Sequence, residues 1–357
     1  MPIVPVIAPG QESRYDIHIG SGLLASCAAL FAPYSGCRAV IVADSNTAPL
    51  YGDTLLGQLE QAGVSASLFA LPAGEATKCP EQLARLYDAF LDARLTRKDL
   101  VIALGGGVIG DITGYAAATY MRGARFVQVP TTLLAQVDSS VGGKVAVDLP
   151  QGKNLVGAFY QPDFVLVDPD TLNTLTDEYW RDGLGEVVKY GCIGDEALFA
   201  LLENAAPGGR ASLMAHIDEI LRRCIQHKAD VVAQDERDTG LRMTLHFGHT
   251  IAHAVETCQH YEGLRHGEAV ALGMHLMTRL SEDKGLTAPG TADRLDALLR
   301  ALDMPMALPA LKKEDVISAM LMDKKFSGRV LRTIVLNKIG KCFIHPTDVS
   351  FFDGMTM

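Results

Sequence analysis

Residues 245–256 read LHFGHTIAHAVE. Three imidazoles, His246, His249 and His253, stand in a stretch otherwise suited to a core helix. One such ring is ordinary in a core, where it hydrogen-bonds to a neighbour. Three together imply an ion, an anion or a proton to handle. His249 and His253 are four residues apart and share one helix face. A histidine pair at that spacing can chelate zinc. His266, in LRHGEAVALGM, opens the next helical stretch. Glu186 lies in RDGLGEVVKYG, an apolar helix with few other charges. Imidazole and carboxylate ligands suit Zn2+ or Co2+, with a position left for a substrate oxygen. Spacing leaves two arrangements open. Either His249 and His253 both bind metal, or one binds it while the other holds substrate or moves a proton.

A second chemical signal is LVIALGGGVIGD, residues 100–111, which joins a strand to a helix. Gly105, Gly107 and Gly110 satisfy GxGxxG, and Gly106 lies among them. Such a turn lets backbone approach a pyrophosphate at a helix N-terminus, although a plain tight turn reads the same way. Asp111 follows at once, and no acid stands the usual ~20 residues further on. Asp44 instead ends an earlier strand, in VADSN, where it can accept from ribose hydroxyls. The loop PAGEATK (72–78) adds Glu75 and Lys78 at another strand end. Three polar strand ends on one sheet edge predict a dinucleotide site.

The third signal is cationic. In residues 129–162, Gly142, Gly143 and Gly152 permit close backbone approach, and Lys144, Lys153 and Asn154 supply donors. Asp138 offers an acceptor, and Thr131 and Thr132 offer hydroxyls after Pro130. Lysines are usually solvated decoration, but here they follow glycines in a region short of other charge, which predicts anion binding. Arg122, in YMRGARF, is a further donor.

The elements that must position these groups fall into two textures. Apolar runs at 38–44, 64–72, 99–107, 124–130 and 163–169 read as strands, and 80–93 as a helix. Strands alternating with helices predict a mostly parallel, Rossmann-like α/β sheet covered on both faces. Helical periodicity then takes over at 177–192, 211–234, 243–260, 266–284, 291–303 and 313–325. Only VLRTIVLNK (330–338) looks strand-like in this half. The expected division is an α/β domain over 1–174 and a mainly α-helical domain over 175–357, with the site in the cleft between them.

Composition limits the partners. The 357 residues carry a formal net charge of −10, which disfavours nucleic acid or an anionic membrane surface but not a small anion in a local cationic pocket. No apolar run is long enough to span a bilayer. The start, MPIVPVIAPGQESR, lacks the charged beginning and apolar middle of a signal peptide. Seven cysteines (27, 37, 79, 192, 224, 258 and 342), with no CxxC pair, read as reduced thiols, so a cytoplasmic location is expected.

Taken together, PAGEATK, GGGVIGDITGYAAATYMRG, PTTLLAQVDSSVGGKVAVDLPQGKNLVGAFYQP, DGLGEVVKYG, KADVVAQDERDTGLR, GHTIAHAVE and RHGEAVALGM resemble the 3-dehydroquinate synthase family over almost the full length. The resemblance implies NAD at the α/β domain and a divalent metal, Zn2+ or Co2+, in the helical one. It implies metal ligands Glu186, His249 and His266, with His253 on the substrate side. Nucleotide contacts carry over to Asp44, Glu75, Lys78, Gly106, Gly107, Asp111, Thr131, Thr132, Thr171 and Thr174, with Lys144 and Lys153 where nucleotide and substrate meet. Substrate contacts match Asp138, Asn154, Lys189, Lys228, Arg242, His253 and Lys324. Arg122 would serve the neighbouring subunit of a homodimer.

The implied reaction is the second step of the shikimate pathway. It converts the sugar phosphate 3-deoxy-D-arabino-heptulosonate 7-phosphate to 3-dehydroquinate by transient oxidation, phosphate elimination, re-reduction and aldol closure. Such an enzyme is a carbon–oxygen lyase. Two departures stand out: His246 where the family has asparagine, and Ala252 where it has glycine. The first keeps open a sister cyclase resembling 2-deoxy-scyllo-inosose synthases. A metal-dependent polyol dehydrogenase would share the layout and NAD but release NADH.

Overall fold

The computed structural model describes residues 14–238, 240–307, 311–322 and 331–355. Its frame is a six-stranded sheet in which every described pairing is parallel. The strands are β1 (Asp16–Ile19), β2 (Arg38–Asp44), β3 (Ser65–Leu71), β4 (Leu100–Gly105), β5 (Arg125–Pro130) and, after a hairpin of β6 (Lys144–Leu149) and β7 (Gly152–Phe159), β8 (Phe164–Val167). The order across the sheet is β1-β8-β5-β4-β2-β3. The chain runs outward from β2 to β3, then crosses back to lay β4 on the other side of β2. That reversal opens a crevice beyond the carboxyl ends of β2 and β4, where ligands bind in open α/β sheets.

Strand β2 reads as an unbroken apolar run because both of its faces are covered. Val40 and Val42 pack with α3 (Pro80–Asp92), α4 (Gly107–Thr119) and the β6–β7 hairpin. Ala39, Ile41 and Ala43 face α1 (Ala28–Phe31) and α2 (Thr47–Gln61). The alternation is the two-residue period of a strand.

From Asp177 onward helices dominate: α5 (Asp177–Ile193), α6 (Glu196–Ala205), α7 (Gly209–Met214), α8 (Ile217–Gln234), α9 (His249–Cys258), α10 (His266–Asp283), α11 (Thr291–Ala301) and α12 (Lys313–Met322). They share one large apolar cluster, which Val165, Val167 and Leu172 also join. A small antiparallel pair, β9 (Leu331–Lys338) and β10 (Lys341–Thr347), closes the chain.

The structure corrects several sequence expectations. The stretch 243–260 is not one helix. A 3-10 turn, Leu241–His246, ends before α9, and Gly248 between them takes the left-handed conformation at φ 81°. A side chain at Gly248 would meet the Val270 carbonyl oxygen and Met274 Cγ at 2.7 Å, so the break is enforced by packing. His246 therefore leaves the helix that carries His249 and His253. Likewise 211–234 divides into α7 and α8 around Ala215 and His216. Within the cationic stretch 129–162, residues 144–159 form an antiparallel hairpin for which no strands were expected. Strands β1 and β10 had no counterpart in the reading. Lys324 lies outside the described residues.

Candidate active site

The carboxyl edge of the sheet gathers most of the expected nucleotide residues. Asp44 ends β2, and its Oδ1 accepts from the backbone N–H of Asn46 (2.8 Å) and of Thr47 (2.9 Å). Gly106 and Gly107 open α4 directly beyond β4. Thr131 and Thr132 follow β5. The Thr131 hydroxyl is buried with no hydrogen-bond partner among the described residues, while Thr132 Oγ1 accepts from Ala135 N at 3.2 Å. Thr171 and Thr174 follow β8, and the Tyr51 hydroxyl reaches the Thr171 carbonyl at 3.0 Å and Thr174 Oγ1 at 2.5 Å.

Lys78 ties this edge to the hairpin. Its ammonium is buried, donates to Asp111 Oδ2 at 2.5 Å and also meets Asn154 Oδ1. Burial alone would lower it, but Asp111 and Glu75 outweigh burial and hold it above the ordinary lysine range. Lys153 pairs with Glu75 at 3.3 Å, and its ammonium lies 4.5 Å from the Tyr261 ring centroid, reaching toward the helical half.

The metal candidates meet where three helices cross. Glu186 is on α5, His249 opens α9 and His266 opens α10. Their ligand atoms lie within 4.8 Å of one another. Each is flanked by a glycine that lets backbones touch. A Cβ on Gly185 would lie 2.1 Å from the Gly267 carbonyl oxygen, and one on Gly267 would lie 1.7 Å from that of Asp182. Asp182 Oδ1 then accepts from Gly267 N at 2.7 Å, fixing the first turn of α10.

This cluster fits a divalent cation. Both Glu186 carboxylate oxygens are buried without a hydrogen bond of ordinary geometry. Their neighbours are the Lys189 ammonium and the Nε2 atoms of His249 and His266, each 3.4 Å from Oε1. Burial would raise the Glu186 carboxyl, but Lys189 and His249 hold it well below the usual range. Burial pushes His249 down to about 4, which leaves it neutral with a lone pair to give. Its Nδ1 lies 3.1 Å from the Phe247 carbonyl, so the lone pair is on Nε2. His266 moves the other way, to about 10: burial lowers it, but hydrogen bonds to Glu186 and Glu256 outweigh burial. A proton there occupies ground that a cation would take, and metal binding releases such protons.

Beside this cluster lie further charged groups, of which Lys189, Lys228 and Arg242 are buried. Asp138 sits in a π-helical turn, Ala135–Ser139, with Lys228 Nζ 2.9 Å and Lys189 Nζ 3.7 Å from its Oδ1. The Tyr190 hydroxyl donates to the same oxygen at 2.5 Å. Burial opposes ionisation of Asp138, yet Lys228 and Lys189 keep its carboxyl far below the usual range. Arg242, almost wholly buried, donates to the carbonyls of Glu236 (2.6 Å) and Gly142 (3.1 Å). Lys144 and His246 meet on one carboxylate oxygen of Asp238, at 2.5 and 3.5 Å. His253 stands beside both metal-side histidines, its ring centroid 5.4 Å from His249 and 6.1 Å from His266.

Arg122 is not part of this gathering. It lies exposed past the C-terminus of α4, whose other end carries Gly107. The site also contains residues that the sequence reading missed: Tyr190 on Asp138, Asp238 between Lys144 and His246, and Glu256 on His266. Glu256 had a signal, since it stands seven residues after His249 on the same helix face.

An open parallel sheet with polar groups at its carboxyl edge, together with a glutamate–histidine–histidine cluster among the helices, is the layout of a nucleotide- and metal-using α/β-plus-helical class. The comparisons narrow it. Residues 68–182 match the family model for the 3-dehydroquinate synthase N-terminal region, and 183–326 match that for the C-terminal region. The 3-dehydroquinate synthase of Clostridium beijerinckii is 43% identical over 97% of this chain and 99% of its own length. That of Neisseria gonorrhoeae is 49% identical over 92% of each. Among solved structures, 2-epi-5-epi-valiolone synthase from Streptomyces hygroscopicus, with NAD+ and Zn2+ bound, superposes with a TM-score of 0.88 at 28% identity, over 98% of each chain. A 2-deoxy-scyllo-inosose synthase complexed with carbaglucose-6-phosphate, NAD+ and Co2+ has the same fold, at a TM-score of 0.85 and 24% identity over 94% of each chain. The chain belongs to the 3-dehydroquinate synthase family.

Proposed function

We propose that this chain is a lyase that closes 3-deoxy-D-arabino-heptulosonate 7-phosphate to 3-dehydroquinate and releases phosphate, using NAD and a divalent metal. The observation that carries the reading is the convergence of Glu186 with the Nε2 atoms of His249 and His266 in a chain of this family. Relatives that are dehydroquinate synthases match at 43% and 49% identity over nearly the whole chain, well above the sister cyclases at 28% and 24%. The buried cations Arg242 and Lys228 favour a substrate that bears a carboxylate.

When bound, the two cofactors supply Lewis acidity at a substrate hydroxyl and a hydride acceptor regenerated within the cycle. The remaining work is positioning and charge. Residues 1–174 hold the nucleotide, through Asp44, Glu75, Lys78, Gly106, Gly107, Asp111, Thr131, Thr132, Lys144, Lys153, Thr171 and Thr174. Residues 175–357 hold the metal and much of the substrate. Lys144, Asn154 and His253 grip the phosphate, while Arg242, Lys228 and Lys324 grip the carboxylate. Asp138 and Lys189 hold ring hydroxyls near the metal. Arg122 completes the phosphate site of a second subunit.

The test mixes purified protein with the heptulosonate phosphate and catalytic NAD+, then follows phosphate and the carbocycle with and without a chelator. Both products should appear together, in excess over NAD+, and stop when metal is withdrawn. Stoichiometric NADH, or phosphate without the carbocycle, would sink the assignment.

A further inference from the structure

Helix α9 carries Glu256 on the face that holds His249 and His253, at the i, i+4, i+7 spacing of one helical stripe. Around it Ile251, Ala252, Ala254 and Val255 are buried in the helical core. Glu256 itself is only 7% exposed. A carboxylate in such surroundings needs a partner, and it has one. Its Oε1 lies 3.2 Å from Nδ1 of His266, while Nε2 of the same ring faces Glu186 Oε1 at 3.4 Å. An ionised carboxylate only accepts, so the proton of that bond is on Nδ1 and the Nε2 lone pair is left for a cation. His249 is held in the same sense by the Phe247 carbonyl. The two holds differ in charge, and a carboxylate partner makes the imidazole the stronger donor to metal.

We propose that Glu256 is a positioning residue, whose carboxylate fixes the Nδ1–H tautomer of His266 and sets the affinity of the Glu186–His249–His266 site for a divalent cation. The inference rests on that metal assignment. His253, Glu256 and His266 also lie close enough to form a cation site of their own. The two arrangements exclude each other at Nδ1, which cannot both carry a proton and ligate.

The experiment measures Zn2+ affinity by competition with a chromophoric chelator, and Co2+ stoichiometry and visible absorption, in the parent chain and in E256A and E256Q. The parent should bind one ion per chain. E256A should weaken binding by about 10–100-fold, the usual effect of removing such a partner. E256Q, whose amide oxygen still accepts from Nδ1–H, should lose less and keep the parent Co2+ band shape. In a chain already carrying H266A, adding E256A should change nothing further. If E256A does not fold, the E256Q affinity and the E256Q, H266A pair decide the matter. Parent-like affinity in the variants would overturn the proposal, as would an equal loss in the H266A background. Two ions per chain, with the second lost in E256A, would make Glu256 a ligand instead. No binding by the parent would sink the metal assignment together with this inference.

Discussion

Lys228 is a cation kept nearly dry, and that sets a pH limit. Burial pulls its ammonium down to about 8, against the attraction of Asp138. In the unfolded chain the same amine titrates near 10.5. Between those values the unfolded chain binds more protons, so the stability tied to this group rises with pH across that window and its cost is full below about 8. If Lys228 holds the substrate carboxylate, as proposed, binding runs the opposite way, because a neutral amine loses that grip. The expected kcat/KM profile therefore falls as pH rises through about 8. K228R keeps its charge, so its alkaline limb should move upward even where its peak rate is lower. An unchanged limb in K228R would assign that ionisation elsewhere. Glu186 was legible by type, as a charge in an apolar helix, whereas Lys228 and Arg242 stand in polar sequence and came only from the family resemblance. Glu256 was legible only through its spacing from His249, because by type a lone helical glutamate reads as solvated unless the helix that buries it is known.

At the scale of elements, the Glu186–His249–His266 cluster depends on glycines as much as on the three side chains themselves. Helix α10 can lie against α5 only because Gly185 and Gly267 present no side chain, and against α9 only because Gly248 and Gly273 do the same. G267A would drive a methyl into the Asp182 carbonyl, so it should cost at least about 3 kcal/mol, the upper range for overpacking. His266 is the adjacent residue, so the loss should appear both as a lower melting temperature of metal-free protein and as weaker Zn2+ binding. Parent-like values for both would show that the contact is not needed. These crossings explain what the sequence could and could not tell. The runs at 38–44 and 124–130 announce strands because buried parallel strands are apolar on both faces. The hairpin of β6 and β7 did not, since its glycines and lysines obscure the alternation of Val145, Val147, Val156 and Ala158. The break before α9 was hidden as well: Phe247 continues the apolar period, and only the packing of Val270 and Met274 makes Gly248 turn.

At the scale of the whole molecule, the position of Arg122 bears on how two chains would meet. Helix α4 has thirteen residues and so spans about 20 Å, which separates Arg122 from the nucleotide edge at Gly107. Met121 and Arg122 both take left-handed conformations, at φ 50° and 65°, rare for such side chains and costly to hold. The strained turn presents Arg122 at an exposed corner, beside the exposed Met121. A two-fold dimer would let each corner complete its partner's site, since such an interface pairs unlike residues reciprocally. Under that arrangement R122A and E186Q should each be inactive alone. A hybrid dimer, co-expressed with two different tags and purified through both, should behave otherwise. The R122A chain supplies an intact metal cluster and receives Arg122 from the E186Q chain, while the reciprocal site is doubly defective. The hybrid should therefore recover about half the parent activity per dimer. A hybrid as inactive as its parents would confine Arg122 to its own chain, and an active R122A homodimer would remove it from the site.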